Sequence, residues 1–245
     1  ILTTHSVYWS TMLFALDLPL PKTIFAHGWW LTGDTKMSKS LGNVVNPLDV
    51  VEQYGVDAVR YFLTKEMILG QDANFTMDLF IKRYNSDLAN DFGNLLNRVS
   101  GLLGKYFEGR IPSEGQATPK ELDIQEKVLR VSRSIPGLIQ TFKVNEAMEE
   151  TINLIRIMNK YLESEAPWTV AKTDLNRAGT ILYTAAEVLR ISSLLLSPVM
   201  PSKTKMVLDI LGTNEQETGT WGVLKAGTKL QSHEALFPRI EIEKK

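Results

Sequence analysis

Most apolar residues of this chain recur at intervals of three and four, the period of an amphipathic helix. Between Ile1 and about Asp17 the spacing is carried by Val7, Tyr8, Met12, Leu13 and Leu16, and Pro19-Leu20-Pro21 ends it. The run Thr23-Ile24-Phe25-Ala26-His27-Gly28-Trp29-Trp30 breaks the period; rich in β-branched and aromatic residues, it predicts a strand. A turn at Gly33-Asp34 and a small basic loop, Lys36-Met37-Ser38-Lys39-Ser40, come next. After Asn46-Pro47 the helical period returns in Val50, Val51, Tyr54, Val59, Phe62 and Leu63, broken at Gly55. Gly70 to Phe75 reads as a loop and Thr76 as an N-cap. From Met77 to about Tyr106 the pattern predicts one long helix, irregular near Gly93, Gly101 and Gly104.

Ile111 to Pro119 has a linker's composition. Helices are predicted from about Lys120, disturbed at Pro136-Gly137, and from about Val144 to Glu163. Pro167 falls in a first helical turn. A further helix spans about Leu175 to Leu196, stopped by Pro198 and Pro201, and the last ends near Leu211 with Gly212 just beyond it. Residues 213–245 read as an irregular tail with a few short strands. The architecture expected is a short α/β part followed by a mostly antiparallel helix bundle.

Composition narrows the chemistry. At 245 residues and 44% hydrophobic, the chain has material for a packed core. With 27 Lys and Arg against 28 Asp and Glu, there is no bulk positive field, so a polyanion would have to be held by local placement of charge. Cysteine is absent, which excludes disulfides, thiolate zinc sites, iron–sulfur clusters and cysteine catalysis within these residues. The most apolar stretch, Ile181 to Met200, is interrupted by Glu187 and Arg190, so no membrane contact is expected. The chain begins at Ile1, in hydrophobic sequence and without a secretory or transit pattern, which leads to the expectation of a missing upstream part.

Three groups of residues carry candidate chemistry. The loop Lys36 to Ser40 sets two cations and two hydroxyls on a turn after a strand, a donor set suited to a polyphosphate; a solvated turn is the plain alternative. Asn90, Asn94 and Arg98 follow one another at four-residue steps, each drifting only about 40° around a helix, so they share a face. Amides and a guanidinium on one stripe can read the edges of splayed bases, or can simply be a solvated face. Trp168 opens a helix behind Pro167; if exposed it can stack on an unpaired base, and if buried it is packing.

The whole string His27-Gly28-Trp29-Trp30, Lys36 to Ser40 and Leu41-Gly42-Asn43 resembles the second signature of class I aminoacyl-tRNA synthetases. His27-Gly28-Trp29-Trp30, the segment His5-Ser6-Val7-Tyr8-Trp9 and the pairing of Asn94 and Arg98 with Pro167-Trp168 resemble the methionyl-tRNA synthetase family in particular. So does the tail string Leu236-Phe237-Pro238-Arg239-Ile240-Glu241. The resemblance covers essentially the whole chain. It implies a mainly α fold: the C-terminal remnant of a Rossmann-type α/β catalytic domain in residues 1–46, a connecting region in 47–80, a helical anticodon-binding bundle in 81–212 and a tail in 213–245. It implies that Lys39, with Lys36, contacts the ATP phosphates, that Ser38 and Ser40 shape the loop, and that His27, Gly28, Trp29, Trp30 and Met37 border the nucleotide. His5 and Trp9 would wall a methionine pocket, while Asn94 and Arg98 contact anticodon bases, Trp168 stacks on the first, and Asn90 and Pro167 lie beside them.

By the same resemblance the partners are ATP with Mg²⁺ as substrate, methionine, tRNA(Met) with its anticodon CAU, and the upstream catalytic half of the same enzyme. No metal site is expected in these residues, and any zinc would lie upstream. The compartment expected is cytoplasmic, with an organellar matrix compatible. One departure matters: the first class I signature, H-x-G-H, is absent, since His5, His27 and His233 are the only histidines. The chain alone is therefore expected to lack catalysis. Two other readings stand at this point: an isolated tRNA-binding module, and a class I synthetase for isoleucine, valine or leucine.

Overall fold

The computed structural model describes residues 1–33, 35–38 and 43–241. The first helical run is a π-helical stretch, Thr4–Trp9, continued by α1 (Ser10–Ala15), and none of its residues is buried. The strand predicted over Thr23 to Trp30 is mostly not one. β1 is Trp30–Thr32, flanked by β2 (Thr35–Lys36), antiparallel, and β3 (Ala73–Asn74), parallel. β-branched and aromatic composition favours an extended chain, but a strand also needs a partner for its N–H and C=O groups. Among the described residues that partner starts only at Ala73, whose N–H donates to the Trp29 carbonyl. The stretch expected to be a plain loop, Gly70 to Phe75, thus supplies β3. Gly28 lies hard against this segment: a Cβ there would come within 2.0 Å of the Gln71 carbonyl oxygen.

Asn46 caps α2 (Pro47–Tyr54) through the Leu48 N–H, and Gly55, at φ 85°, turns the chain into α3 (Val56–Glu66). Thr76 caps α4 (Met77–Arg83) by accepting from the Leu79 N–H. The long helix then runs through a π-helical stretch, Tyr84–Gly93, into α5 (Asn94–Tyr106). The irregularity expected near Gly93 is thus present, ending at that residue, while Gly101 and Gly104 lie in regular helix. Tertiary demand explains this better than glycine: Asp87 and Asp91 of the π-helical stretch both reach Arg156 on a neighbouring helix.

A capping box between Thr118 and Glu121 starts α6 (Pro119–Gln140). The helix continues through Pro136, which sits near its C-terminal end, where a missing N–H costs one bond rather than a break. α7 (Val144–Glu165), the one-turn α8 (Pro167–Val170), α9 (Leu175–Leu196) and α10 (Pro201–Ile210) complete the bundle. Pro201, expected to stop a helix, opens one.

α9 is the axis of the bundle, packed against α5, α6, α7 and α10 and buried from Ala178 through Leu196. Leu95, Leu96, Val99 and Leu103 of α5 and Ile152, Ile155, Met158 and Leu162 of α7 close around it, each contributing about 1.5–3 kcal/mol. α9 is long and apolar enough to cross a membrane, yet its apolar 18-residue stretch is buried inside the protein. Its two charges explain its fit there. Glu187 and Arg190 pair at 2.8 Å, Arg190 donates to the Glu217 and Thr220 carbonyls, and Glu187 accepts from the Leu224 N–H. The pair is thus a buried clasp for the tail.

That tail forms no strand beyond one isolated bridge, Arg110 with Lys229, among the described residues. Instead it straps the bundle. Leu236 and Phe237 are buried, Phe237 against Tyr84 and Phe92, and Asn85 exchanges two hydrogen bonds with the Ile240 backbone.

Candidate functional site

Candidate residues gather at two places. At the first, His5 and Trp9 stand edge to face, their rings 6.1 Å apart, because one π-helical turn separates them. With Phe25, His27, Gly28 and Trp29 they line a pocket of about 710 Å³. The expected methionine-wall residues and three of the expected nucleotide-bordering residues therefore share one cavity. Trp30 does not join them. Neighbours on an extended chain point to opposite sides, so Trp30 turns inward against Phe62 and Phe75 while Trp29 faces out.

The basic loop leaves β2 beside this pocket. The Lys36 ammonium sits 3.5 Å from the centre of the Trp29 ring, a cation–π contact worth about 0.5–1 kcal/mol at an exposed site. Met37 is half-buried against the core. The Ser38 N–H donates to Asn43 Oδ1 at 2.8 Å. Lys39 and Ser40 lie outside the described residues. Asn43 was given no role from sequence, yet it ties the limbs of the loop together. Its Nδ2 donates to Thr35 Oγ1 and the Lys36 carbonyl, and its own carbonyl accepts from Thr32 Oγ1.

The second place is the end of the bundle where α5 meets the turn after α7. Ala166 adopts a left-handed conformation at φ 43°, which ends α7 and sends the chain into Pro167. Pro167 is buried, and Trp168 is left 36% exposed, its ring 5.7 Å from the Arg98 guanidinium carbon. Tyr106 donates its hydroxyl proton to the Trp168 carbonyl at 3.1 Å. Glu165, just before the turn, is held by Lys120 at 2.6 Å and Arg177 at 3.0 Å. Arg177 also pairs with buried Glu121. Burial alone would raise the Glu121 carboxyl, but hydrogen bonds from Arg177, Thr118 and Tyr161 hold it down at about 2.

Asn94 and Arg98 are half-buried on consecutive turns of α5 and meet the same partner, Asn159 of α7. Asn94 donates to the Asn159 side chain and Arg98 to its main-chain carbonyl, both at 3.1 Å. Asn90 is exposed and makes neither contact. It lies one turn earlier, in the π-helical stretch, and its side chain stays in solvent. Beneath the site Arg156 binds Asp87, Asp91 and Glu149, and burial raises the Asp91 carboxyl despite that partner. Sequence reasoning missed Asn159 and Arg156. The available signal was a polar stripe on α7, Glu149, Asn153, Arg156 and Asn159, at helical steps. A half-exposed indole with a guanidinium over it and an amide alongside is chemically fit to seat one flipped-out base.

Comparison with known families gives first the class of protein. Residues 1–100 match the family model described as tRNA synthetases class I (M). Residues 111–245, more than half of the chain, match the anticodon binding domain of methionyl tRNA ligase. The chain belongs to the methionyl-tRNA ligase family. Among curated relatives it is 42% identical to the methionine–tRNA ligase of Caldanaerobacter subterraneus subsp. tengcongensis, over 98% of this chain and 39% of that protein. It is 40% identical to the enzyme of Halalkalibacterium halodurans, over 98% of this chain and 37% of that protein. The chain thus spans about two fifths of these relatives' length. A solved structure of Mycobacterium tuberculosis methionyl-tRNA synthetase with methionyl-adenylate superposes with a TM-score of 0.92 at 36% identity, covering 97% of this chain and 48% of that one.

Proposed function

We propose that this chain carries the ATP loop, part of the methionine pocket and the anticodon reader of a methionine–tRNA ligase. The observation that carries this reading is the seat formed by Trp168, Arg98 and Asn94 at the end of a bundle whose family is anticodon-binding. The adenylate held by the Mycobacterium tuberculosis relative indicates the reaction at the other end. There the methionine carboxylate attacks the α-phosphorus of ATP, which enters with Mg²⁺, and pyrophosphate leaves. Negative charge grows on the leaving phosphates, so Lys39 and Lys36 act chiefly in the transition state. Lys36 leaves the Trp29 ring to reach them. The 3′-terminal hydroxyl of tRNA(Met) then attacks the adenylate carbonyl and AMP departs.

In this reading an upstream half bearing H-x-G-H completes the catalytic site, and the protein works in the cytoplasm. His5 and Trp9 suit a thioether, whose soft sulfur favours aromatic edges. The bundle reads the anticodon CAU, with the first base stacked on Trp168.

The test is direct binding of the chain to tRNA with anticodon CAU and to the same tRNA with its first anticodon base changed. Salt is held fixed, because phosphate contacts make affinity salt-dependent. Tighter binding of the CAU form supports the reading; equal binding overturns it.

A further inference from the structure

Asn159 stands between Asn94 and the backbone of the π-helical stretch. Its Nδ2 donates to the Asp91 main-chain carbonyl at 3.0 Å, and its Oδ1 accepts from Asn94 Nδ2 at 3.1 Å. A carbonyl oxygen can only accept, so the Asp91 carbonyl decides which end of the Asn159 amide faces it. Asn159 in turn decides which end of the Asn94 amide faces inward. Asn94 keeps its Oδ1, an acceptor, and its second N–H for a ligand. Next to it, Arg98 spends one N–H on the Asn159 carbonyl and keeps the rest of its guanidinium as donors beside the Trp168 ring.

An acceptor followed by donors complements the pairing edge of cytosine, which offers an amino donor and then two acceptors. Uracil offers a carbonyl at the amino position, and two acceptor oxygens would face each other there. Without the backbone anchor the Asn159 amide could present either end, and the Asn94 amide would turn over with it and serve either base.

We propose that Asn159 is a specificity-determining positioning residue. Anchored on the Asp91 carbonyl, it holds the Asn94 amide in the orientation that selects an amino pyrimidine over a keto one at the base stacked on Trp168. The proposal rests on the anticodon reading above and adds to it the residue that sets polarity. It touches no base itself.

The test measures anisotropy of the full chain with fluorescent anticodon stem–loop hairpins carrying cytosine or uracil at the first anticodon position. Asn159→Leu removes both amide bonds but leaves the main-chain carbonyl that holds Arg98. It should still bind the cytosine hairpin while its preference over uracil falls roughly tenfold, the scale of one lost base-edge match. Asn159→Asp loses the anchor but keeps an acceptor toward Asn94, so its preference should stay within about twofold of the parent chain. Thermal melts of both variants establish that the bundle remains folded.

A Leu variant that weakens both hairpins equally, with the preference intact, overturns the proposal and makes Asn159 a structural residue. So does equal loss of preference in the Leu and Asp variants. If those results come with binding that still depends on Trp168 and Arg98, the anticodon reading survives and only the relay fails. If the parent chain shows no preference and Trp168→Ala leaves binding unchanged, the reading and the relay fall together.

Discussion

At the pocket beside the basic loop, His5, Trp9, His27, Trp29 and Lys36 are all exposed, and their contacts are mostly with one another or with backbone nearby in the chain. At the bundle end, Asn94 and Arg98 are half-buried and bonded to a residue more than sixty positions away, on a helix packed against the core. Under the proposed function the difference follows from two tasks. Charge that develops on leaving phosphates is met by cations that can travel to it. A base edge is read by donors and acceptors that must already be in place, because any freedom to turn an amide over removes the selection. The bundle therefore builds its site from tertiary contacts, and the loop keeps its lysine on a weak aromatic rest.

The largest effect is expected from Arg190→Met, which strands the Glu187 carboxylate inside the bundle and releases the tail carbonyls. It should cost about 3–5 kcal/mol in urea unfolding and loosen the bundle site with it. Unfolding parallel to that of the parent chain would mean the clasp is not structural. Next comes Lys39→Ala in the enzyme assembled with its upstream half. Pyrophosphate exchange should slow by about 10²–10³-fold while hairpin binding is unchanged; unaltered exchange would remove Lys39 from the chemistry. Trp168→Ala should do the reverse, weakening tRNA binding by about 1–3 kcal/mol and sparing exchange. Equal loss of both would show that the two ends are not separable.

The smallest effect near neutrality concerns pH. Glu121, held down at about 2 in the fold against an ordinary value of 4.5, stabilises the bundle fully above the ordinary value, and that contribution is lost as pH falls toward 2. The denaturation midpoint should be flat around neutrality and fall below pH 4.5, and Glu121→Gln should flatten the fall. An acid limb equally steep in the variant would assign the loss to other carboxylates.

Much of this was legible in advance because it depends on short-range patterns. The bounds of α9 follow from its apolar run and the prolines after it. Thr76 was recognisable as a cap by its hydroxyl and position, and the basic loop by its string of residues. What failed had no local signature. Whether residues 23–29 pair into a sheet depends on where Ala73 arrives. Whether Trp30 faces a nucleotide or Phe62 depends on which side of β1 the core lies. Asn90, equally spaced with Asn94 and Arg98 in sequence, drops out because it stays exposed while they meet Asn159 on a neighbouring helix.

The sequence by itself determined where most helices lie, that they form a bundle, that these residues hold no thiol chemistry, and which motifs are candidates for phosphate and base. These follow from periodicity, composition and capping, which act over a few residues. Tertiary structure alone decided that Glu187 and Arg190 clasp the tail and that Asn43 closes the loop. It also decided that Asn159, on a polar stripe of α7, touches both Asn94 and Arg98. Those outcomes depend on which backbone carbonyl comes within hydrogen-bonding distance of which side chain. That is fixed only when helices distant in the chain pack together.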